Sequence, residues 1–298
     1  MFKFSKAVLP LLLVFTAACG TDLQRASAQD LGAALRAPAP AVREGTGVSD
    51  ETAKTETAKA ETVLVRGGAL PQRVTRAVSA SDPLRVMVIG DSLADGFGMF
   101  LEQMVAQRGL PVTVINRGRT STGLARSDFY DWPGQFAAMA AADRPDIVVA
   151  NFGANDNQPI RLASGTSVPY DTADWDAAYK SQMRDILDTA AGAGAVFYLL
   201  GPAPDADSHR NALLSKANAL FRDVARQTGA HFISLPAITG GPNGEYVKVA
   251  NGATIRSGDG SHFTGAGYTL VVTEILAAIE RDNPGLFSPS SVEIASLQ

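Results

Sequence analysis

The 298-residue chain contains one cysteine and three histidines. A single thiol cannot form a disulfide within the chain, and Cys19 lies near the amino terminus, so a catalytic thiol is not expected. The histidines, His209, His231 and His262, are too far apart in sequence to give a zinc spacing, and no calcium-loop pattern occurs. The sequence therefore predicts no metal and no cofactor.

An excess of positive charge is also missing. The chain has 26 Lys and Arg against 30 Asp and Glu, with a net charge of -4, and this balance gives no case for a nucleic-acid partner. No lysine occurs between Lys59 and Lys180, and the G-x-x-x-x-G-K-[ST] phosphate loop is absent. The G-x-S-x-G nucleophile elbow of α/β-hydrolases is absent as well.

The amino terminus has the composition of an export signal. A positive segment with Lys3 and Lys6, followed by an apolar run too short to span a membrane, makes residues 1–19 a signal peptide. The Thr-Ala-Ala-Cys sequence ending at Cys19 resembles a lipobox, in which the cysteine is lipidated. Cleavage after Ala28, at the end of Ala-Ser-Ala, is the alternative. Either site predicts an exported, periplasmic protein without a transmembrane helix, held to the membrane by a lipid in the first case.

Three further segments follow the signal peptide. Residues 20–80 are rich in Ala, Thr, Glu, Lys and Pro and have no apolar periodicity, which predicts a disordered tether. Residues 81–285 form the predicted folded domain, and residues 286–298 are assigned to a carboxyl-terminal tail.

Within the domain, short apolar runs alternate with amphipathic segments. Runs that are apolar at nearly every residue predict strands buried on both faces, and the segments between them predict helices, so the pattern indicates a three-layer α/β/α domain with a five-stranded parallel sheet. The predicted strands are 84–89, 111–115, 146–151, 195–200 and 230–235, and the predicted helices are 97–109, 175–191, 211–228 and 265–281.

Four polar loops follow strands or precede a helix, where such a sheet places its chemistry. Ser92 lies at the turn after the first strand, where a helix cap is the plain alternative. Asn155, after the third strand, offers a side-chain amide to a developing oxyanion, or an Asx turn. Asp259 precedes His262 by three residues, so it can orient the imidazole as a base. His231, at a strand start, is interpreted as structural.

Together these loops resemble the SGNH, or GDSL, hydrolase superfamily. The chain has Gly-Asp-Ser-Leu at 90–93, a glycine-containing loop at 116–124, Gly-Ala-Asn-Asp at 153–156 and Asp-Gly-Ser-His at 259–262. The resemblance covers residues 84–282 and implies a flavodoxin-like sheet. The Gly-Asp-Ser-Leu-Ala-Asp-Gly motif and residues 128–133 resemble a bacterial periplasmic branch that is associated with envelope polysaccharides.

The resemblance also implies roles for individual residues. Ser92 matches the nucleophile, His262 the general base and Asp259 the residue that orients it. The implied oxyanion donors are the Ser92 amide, the Asn155 side chain and the amide of Gly123, with Gly118 as an alternative to Gly123. The supporting residues of these motifs are Asp91, Gly153 and Asp156.

The predicted function is that of an exported serine esterase that removes an acyl group, most plausibly O-acetyl, from a carbohydrate. An O-acetyltransferase with the same acyl-enzyme, and a non-catalytic envelope-binding module, are the alternatives. The loops 154–174 and 236–258 are expected to form the pocket walls. Arg117, Arg119 and Arg126 either meet an acidic glycan or form a solvated rim.

Overall fold

The computed structural model describes residues 68–162 and 164–287. The strands are β1 (Leu84–Gly90), β2 (Val112–Gly118), β3 (Ile147–Asn151), β4 (Ile160–Arg161), β5 (Ser167–Val168), β6 (Val196–Gly201), β7 (His231–Ser234), β8 (Val249–Ala250) and β9 (Ala253–Thr254). Five of them are parallel and form the central sheet, in the order β2-β1-β3-β6-β7. The helices are α1 (Ser92–Gln107), α2 (Trp132–Asp143), α3 (Ala173–Gly192), α4 (Ser208–Thr228), α5 (Leu235–Thr239) and α6 (Gly265–Asp282).

The sheet separates two apolar cores. Along β1, Val86 and Val88 pack with α1, α5 and α6, whereas Met87 and Ile89 pack with α2, α3 and α4. This alternation follows from the two-residue period of a strand, and it explains why β1 is apolar throughout. The prediction of a three-layer α/β/α fold with a five-stranded parallel sheet is confirmed, and the strand order is that of flavodoxin.

The strand order reverses between β1 and β3, which are neighbours in the centre of the sheet. In open α/β sheets, ligands bind in the crevice outside the carboxyl ends of the strands at this switch point. The loops after β1, β2 and β3 meet there, so the fold brings Ser92, Gly123 and Asn155 to one edge.

Residues 68–80 correct the predicted tether. Leu70 and Val78 are buried, Gln72 donates to the Gly229 carbonyl at 2.8 Å, and Arg76 Nε donates to Asp146 at 2.7 Å. Widely spaced apolar side chains in an extended segment pack onto the domain without any helical or strand periodicity, so the sequence pattern gave no sign of them. Residues 20–67 lie outside the described residues, as do the signal peptide and Cys19.

The start of α1 was predicted at Phe97 but lies at Ser92. Asp91 caps the helix by accepting from the Leu93 amide at 2.9 Å. Gly96 and Gly98 lie within the helix, and both positions need glycine because a Cβ there would lie 2.2 Å from the Tyr268 ring and 2.3 Å from Asn116.

One helix was not predicted from the sequence, and one further boundary differs from the prediction. The alanine-rich α2 was not predicted, because only Trp132, Phe136 and Ala140 face the core and no continuous apolar stripe marks it. At the carboxyl end, Leu286 and Phe287 still pack against the core beside α6, so the tail starts later than residue 286. Residues 288–298 lie outside the described residues.

The loops predicted as pocket walls contain small antiparallel hairpins, β4–β5 in one and β8–β9 in the other. Residues of α5 and of the loop up to Asn251 line a cavity of about 780 Å³, which includes neither Ser92 nor His262. In the part of the chain that the structure describes, no helix is long and apolar enough to cross a membrane.

Candidate active site

Ser92 is the first residue of α1, and one residue, Asp91, separates it from the end of β1. Gly90 has a φ of +132°, and a Cβ there would lie 1.8 Å from the carbonyl oxygen of Asn151, so only glycine allows β1 and β3 to approach so closely. The Asp91 amide donates to the same carbonyl at 3.2 Å. This turn presents the Ser92 side chain at the carboxyl edge of the sheet, beside a helix N-terminus.

His262 and Asp259 reach Ser92 from the loop before α6. Ser92 Oγ lies 2.8 Å from His262 Nε2, and His262 Nδ1 lies 2.7 Å from Asp259 Oδ2. A carboxylate can only accept, so Asp259 selects the tautomer with hydrogen on Nδ1. Nε2 is then free to accept the Ser92 hydroxyl proton. The three predicted triad residues are thus brought together from positions 170 residues apart.

The Asp259 carboxylate is held by several donors. Ser257 Oγ donates to it at 2.6 Å, and the amides of Ser261 and His262 each donate at 2.9 Å. The Ser257 hydrogen bond, together with those from His262 and the two amides, lowers the pKa of Asp259 well below its usual range. Asp259 therefore remains a carboxylate at any pH near neutrality.

Three N–H groups, in the segments after β1, β2 and β3, are candidate oxyanion donors. The Ser92 amide is in the first turn of α1, where backbone donors have no helical partner. Asn155 Nδ2 donates one hydrogen to the Thr122 carbonyl at 2.9 Å, which fixes the side chain and leaves the second hydrogen available. Within residues 68–162 and 164–287, the Gly123 amide has no acceptor.

The choice between the two glycines follows from their hydrogen bonds. The Gly118 amide donates to Asn116 Oδ1 at 3.1 Å and is occupied, whereas the Gly123 amide is not. Glycine is needed at both positions, because a Cβ would lie 2.1 Å from Asp156 Oδ1 at Gly123 and 2.3 Å from the Asp95 amide nitrogen at Gly118. The difference in hydrogen bonding alone therefore favours Gly123 over Gly118 as an oxyanion donor.

Two buried carboxylates hold the donor loops together. Asp91 accepts from the Leu93 amide at 2.9 Å and from the Ala154 amide at 3.3 Å, and so joins the loops after β1 and β3. Burial raises the pKa of Asp91 to about 7. Gly153, at a φ of +127°, makes the bend that leads to Ala154 and Asn155.

Asp156 makes the second connection. It accepts from the Ala125 amide at 2.9 Å and from the Tyr179 hydroxyl at 2.8 Å, joining the loops after β3 and β2 to α3. Burial also raises the pKa of this carboxyl group. Asp91, Gly153 and Asp156, which were predicted as supporting residues, thus each bind or bend the backbone beside a candidate oxyanion donor.

Residues 85–278 match a family model described as a protein of unknown function, DUF459. The chain belongs to the DUF459 family. No curated protein matches it. Among solved structures, it is similar to a GDSL-like lipase from Bacteroides thetaiotaomicron, with 22% identity over 66% of this chain and 88% of that chain and a TM-score of 0.46.

Two other solved structures are similar at comparable levels. A lipase/acylhydrolase from Enterococcus faecalis has 20% identity, covers 66% of this chain and 96% of that chain, and gives a TM-score of 0.48. A mutant acetyl-xylooligosaccharide esterase from Geobacillus has 14% identity, with coverage of 66% and 94% and a TM-score of 0.48.

Sequence reasoning missed Asp205, which lies behind the loop that carries His262 in this DUF459 protein. Its buried carboxylate accepts from the Ser261 hydroxyl, from the Asp207 amide at 2.7 Å and from Arg210 Nε at 3.1 Å. Ser261 precedes His262, so these contacts fix the histidine's backbone. A lone aspartate before a helix carries no signal of this role, because its partner is 56 residues away.

Arg256 was missed too. Its guanidinium is buried, with Nη1 donating to the Ser261 carbonyl at 2.9 Å and its centre lying 4.0 Å from the Phe263 ring centroid. Burial lowers the pKa of Arg256 to about 10. Arg256 therefore contacts both neighbours of His262, Ser261 and Phe263.

The other histidines lie apart from this site. His231 Nε2 is 2.9 Å from the Gln72 carbonyl, and its ring stacks on Tyr198, which agrees with the structural role interpreted from the sequence. His209 is exposed in the first turn of α4. In the described ranges, no group of three or more His, Cys, Asp or Glu residues is placed to hold a metal ion.

Replacing Asn155 with alanine is expected to lower kcat for ester cleavage by about 10²- to 10³-fold, with little change in KM, because an oxyanion donor acts mainly in the transition state. Steady-state kinetics on p-nitrophenyl acetate would measure this effect. Asn157→Ala, in the same loop but exposed, is the matched control. An equal loss in both variants would contradict an oxyanion role for Asn155.

Proposed function

We propose that this DUF459 protein is an exported serine esterase of SGNH type that hydrolyses an acyl ester, O-acetyl in particular, on an envelope or extracellular carbohydrate. The observation that carries the proposal is the chain of hydrogen bonds from Ser92 through His262 to Asp259, at 2.8 and 2.7 Å. The Ser92 turn and the loops that carry Gly123 and Asn155 follow β1, β2 and β3 at the same edge of the sheet, which supports an oxyanion site there.

The triad geometry suits nucleophilic attack on an ester. A serine hydroxyl is a weak nucleophile until a base removes its proton. His262 Nε2 takes the proton as Ser92 Oγ bonds to the acyl carbon, and Asp259 stabilises the imidazolium that forms. The carbonyl oxygen becomes an oxyanion, which the two amides and the Asn155 side chain stabilise.

The leaving alcohol receives the proton from His262, and an acyl group remains on Ser92 Oγ. In the second half of the reaction, His262 activates water, which attacks the acyl carbon and restores the free serine. The His262 and Asp259 side chains are 42% and 51% exposed, so water reaches the base directly.

The finer parts of the proposal have separate support. Export rests on the composition of residues 1–19, and anchoring would rest on lipidation of Cys19. The carbohydrate substrate rests on the resemblance of residues 90–96 and 128–133 to a periplasmic branch of the superfamily.

A fluorophosphonate probe tests the serine mechanism. The probe's phosphorus accepts attack by an activated serine, so stoichiometric labelling of Ser92 is expected, with a loss of esterase activity that parallels labelling. Peptide mapping by mass spectrometry would locate the adduct. A properly folded protein that leaves Ser92 unlabelled would instead point to a non-catalytic envelope-binding module.

Product analysis separates hydrolysis from transfer. We expect acetate to be released from an acetylated glycan at the same rate with and without an added glycan acceptor. Appearance of acetylated acceptor, with less free acetate, would assign the acyl-enzyme to an O-acetyltransferase.

A further inference from the structure

The end of β2 and the loop after it carry arginines with different surroundings. Arg117 donates to Asp143 at 2.7 Å, and Arg126 donates to Asp128 at 2.7 Å, so both are paired with carboxylates. Arg119 is exposed and makes no ion pair among the described residues. Its backbone amide donates to the Gly90 carbonyl at 2.8 Å, which places the residue beside the Ser92 turn.

Arg119 is nevertheless held in place. Its guanidinium lies 4.6 Å from the centroid of the Tyr130 ring, and Tyr130 packs edge-on against Trp132 at 4.9 Å. Trp132 is buried and donates to Thr122 Oγ1 at 3.0 Å, while the Thr122 carbonyl binds Asn155. Within the described ranges the Arg119 guanidinium makes this cation–π contact with Tyr130 but no hydrogen bond, so its N–H groups remain available for an anion.

Strand β4, which pairs with this loop, also carries an arginine. Arg161 is exposed on β4, which forms a bridge with Arg126, and it has no carboxylate partner within the described ranges. Of the three arginines at 119, 126 and 161, only Arg126 is paired with a carboxylate, Asp128, within the described ranges. The next carboxylate along the chain, Asp131, lies against Gly134 in the first turn of α2, where the helix dipole offsets its charge. This concentration of positive charge contrasts with the chain's net charge of -4.

The loop after β2 also carries an exposed aromatic ring. Phe129 is 62% exposed, although large apolar side chains are normally covered. It lies between the paired Asp128 and the stacked Tyr130. A single apolar ring beside unpaired cations fits a molecule with both an apolar face and a negative group, such as a sugar that bears a carboxylate.

We infer that Arg119, with Arg161 and Phe129, forms a subsite for the alcohol part of the ester, and that the substrates are acyl esters of carboxylate-bearing carbohydrates. The inference rests on the proposed function and deepens it by assigning the charge of the substrate. A carboxylate accepts two parallel N–H groups from a guanidinium, which both binds the ester and fixes its orientation. The acyl group then lies toward Ser92 and the donors at Gly123 and Asn155.

A pair of esters that differ in one charge tests the subsite. The probes are 4-acetoxybenzoate, with a carboxylate on the alcohol part, and its neutral methyl ester. We expect Arg119→Gln to lower the ratio of kcat/KM for the anionic ester to that for the neutral ester on the order of tenfold, mainly through KM. Comparing ratios removes differences in the reactivity of the two esters.

Two further variants make the result specific. Arg117→Gln, which removes an already paired arginine two residues earlier at the end of β2, is expected to leave the ratio unchanged. Arg119→Lys keeps the charge but loses the two parallel N–H groups, so it is expected to retain only part of the preference. Added salt is expected to reduce the wild-type preference, because the groups are exposed. A ratio unchanged in Arg119→Gln, or a ratio lowered as much in Arg117→Gln, would overturn the inference.

Binding measured without turnover keeps the two proposals apart. Polygalacturonate, a polymer of carboxylate-bearing sugars, is expected to bind the Ser92→Ala protein on the order of tenfold more tightly than it binds a Ser92→Ala, Arg119→Gln double variant. If neither ester is cleaved but the binding difference is observed, only the esterase proposal is overturned. Cleavage of both esters without any binding difference would overturn only the acidic subsite.

Discussion

Replacement of Ser92 by alanine is expected to lower kcat/KM for p-nitrophenyl acetate by on the order of 10⁴-fold or more. The alanine cannot form the acyl-enzyme, so the reaction would have to proceed by direct attack of water. Some catalysis above the solution rate should remain, because the donors at Gly123 and Asn155 can still bind the oxyanion. Titration of active sites with the fluorophosphonate would confirm that the remaining activity is not contamination by wild-type protein.

The Ser92→Ala protein should fold normally. Ser92 Oγ contacts only His262 among the described residues, and the helix is capped by Asp91 rather than by Ser92. Ser215→Ala, the same change at an exposed site within α4, is the control and should retain full activity. Circular dichroism and thermal unfolding would verify both folds. Wild-type turnover by Ser92→Ala would refute the nucleophile assignment.

The sheet was predictable because its signal is local. Buried parallel strands must be apolar at nearly every residue, so 84–89, 146–151 and 195–200 agree with β1, β3 and β6 to within a residue or two. The errors arose where tertiary contacts override local preference. α1 contains Gly96 and Gly98 because Tyr268 and Asn116 fill the space that side chains would need there.

The site was predictable only in part, for a related reason. Ser92, Asp259 and His262 lie in short motifs whose spacing encodes their chemistry. Asp205, Arg256 and the Trp132–Thr122 contact act on those motifs through the folded chain and have no local pattern. The hydrogen bonds of Ser261 with Asp205 and with Arg256 exist only in the folded chain, so no local sequence pattern indicates them.

Two aspartates of the site illustrate how environment separates their roles. Asp91 is fully buried and accepts from backbone amides, and burial raises its pKa to about 7. Asp259 is half exposed, accepts from Ser257 and His262, and has a lowered pKa. Only the second can supply a permanent negative charge to the imidazolium at neutral pH, so the orienting role belongs to Asp259.

Asp259→Asn is therefore expected to lower kcat for ester cleavage by about 10⁴-fold while leaving KM within a few-fold. An asparagine can turn its amide toward Nδ1 and donate a hydrogen, which favours the tautomer with hydrogen on Nε2. In that tautomer His262 cannot accept the Ser92 proton, and no charge remains to stabilise the imidazolium. The pH profile of kcat, measured for wild type and variant on p-nitrophenyl acetate, would record the loss.

Asp207→Asn is the matched control for this change. Asp207 is exposed, caps α4 by accepting from the Arg210 amide at 2.8 Å and, like Asp259, has a lowered pKa. Asparagine caps a helix about as well as aspartate, so this variant should keep both its stability and its activity. If Asp259→Asn were as active as Asp207→Asn, His262 would need no orienting charge. The Ser92–His262 pair would then have to act as a dyad, with its tautomer fixed by the loop that Asp205 and Arg256 clamp.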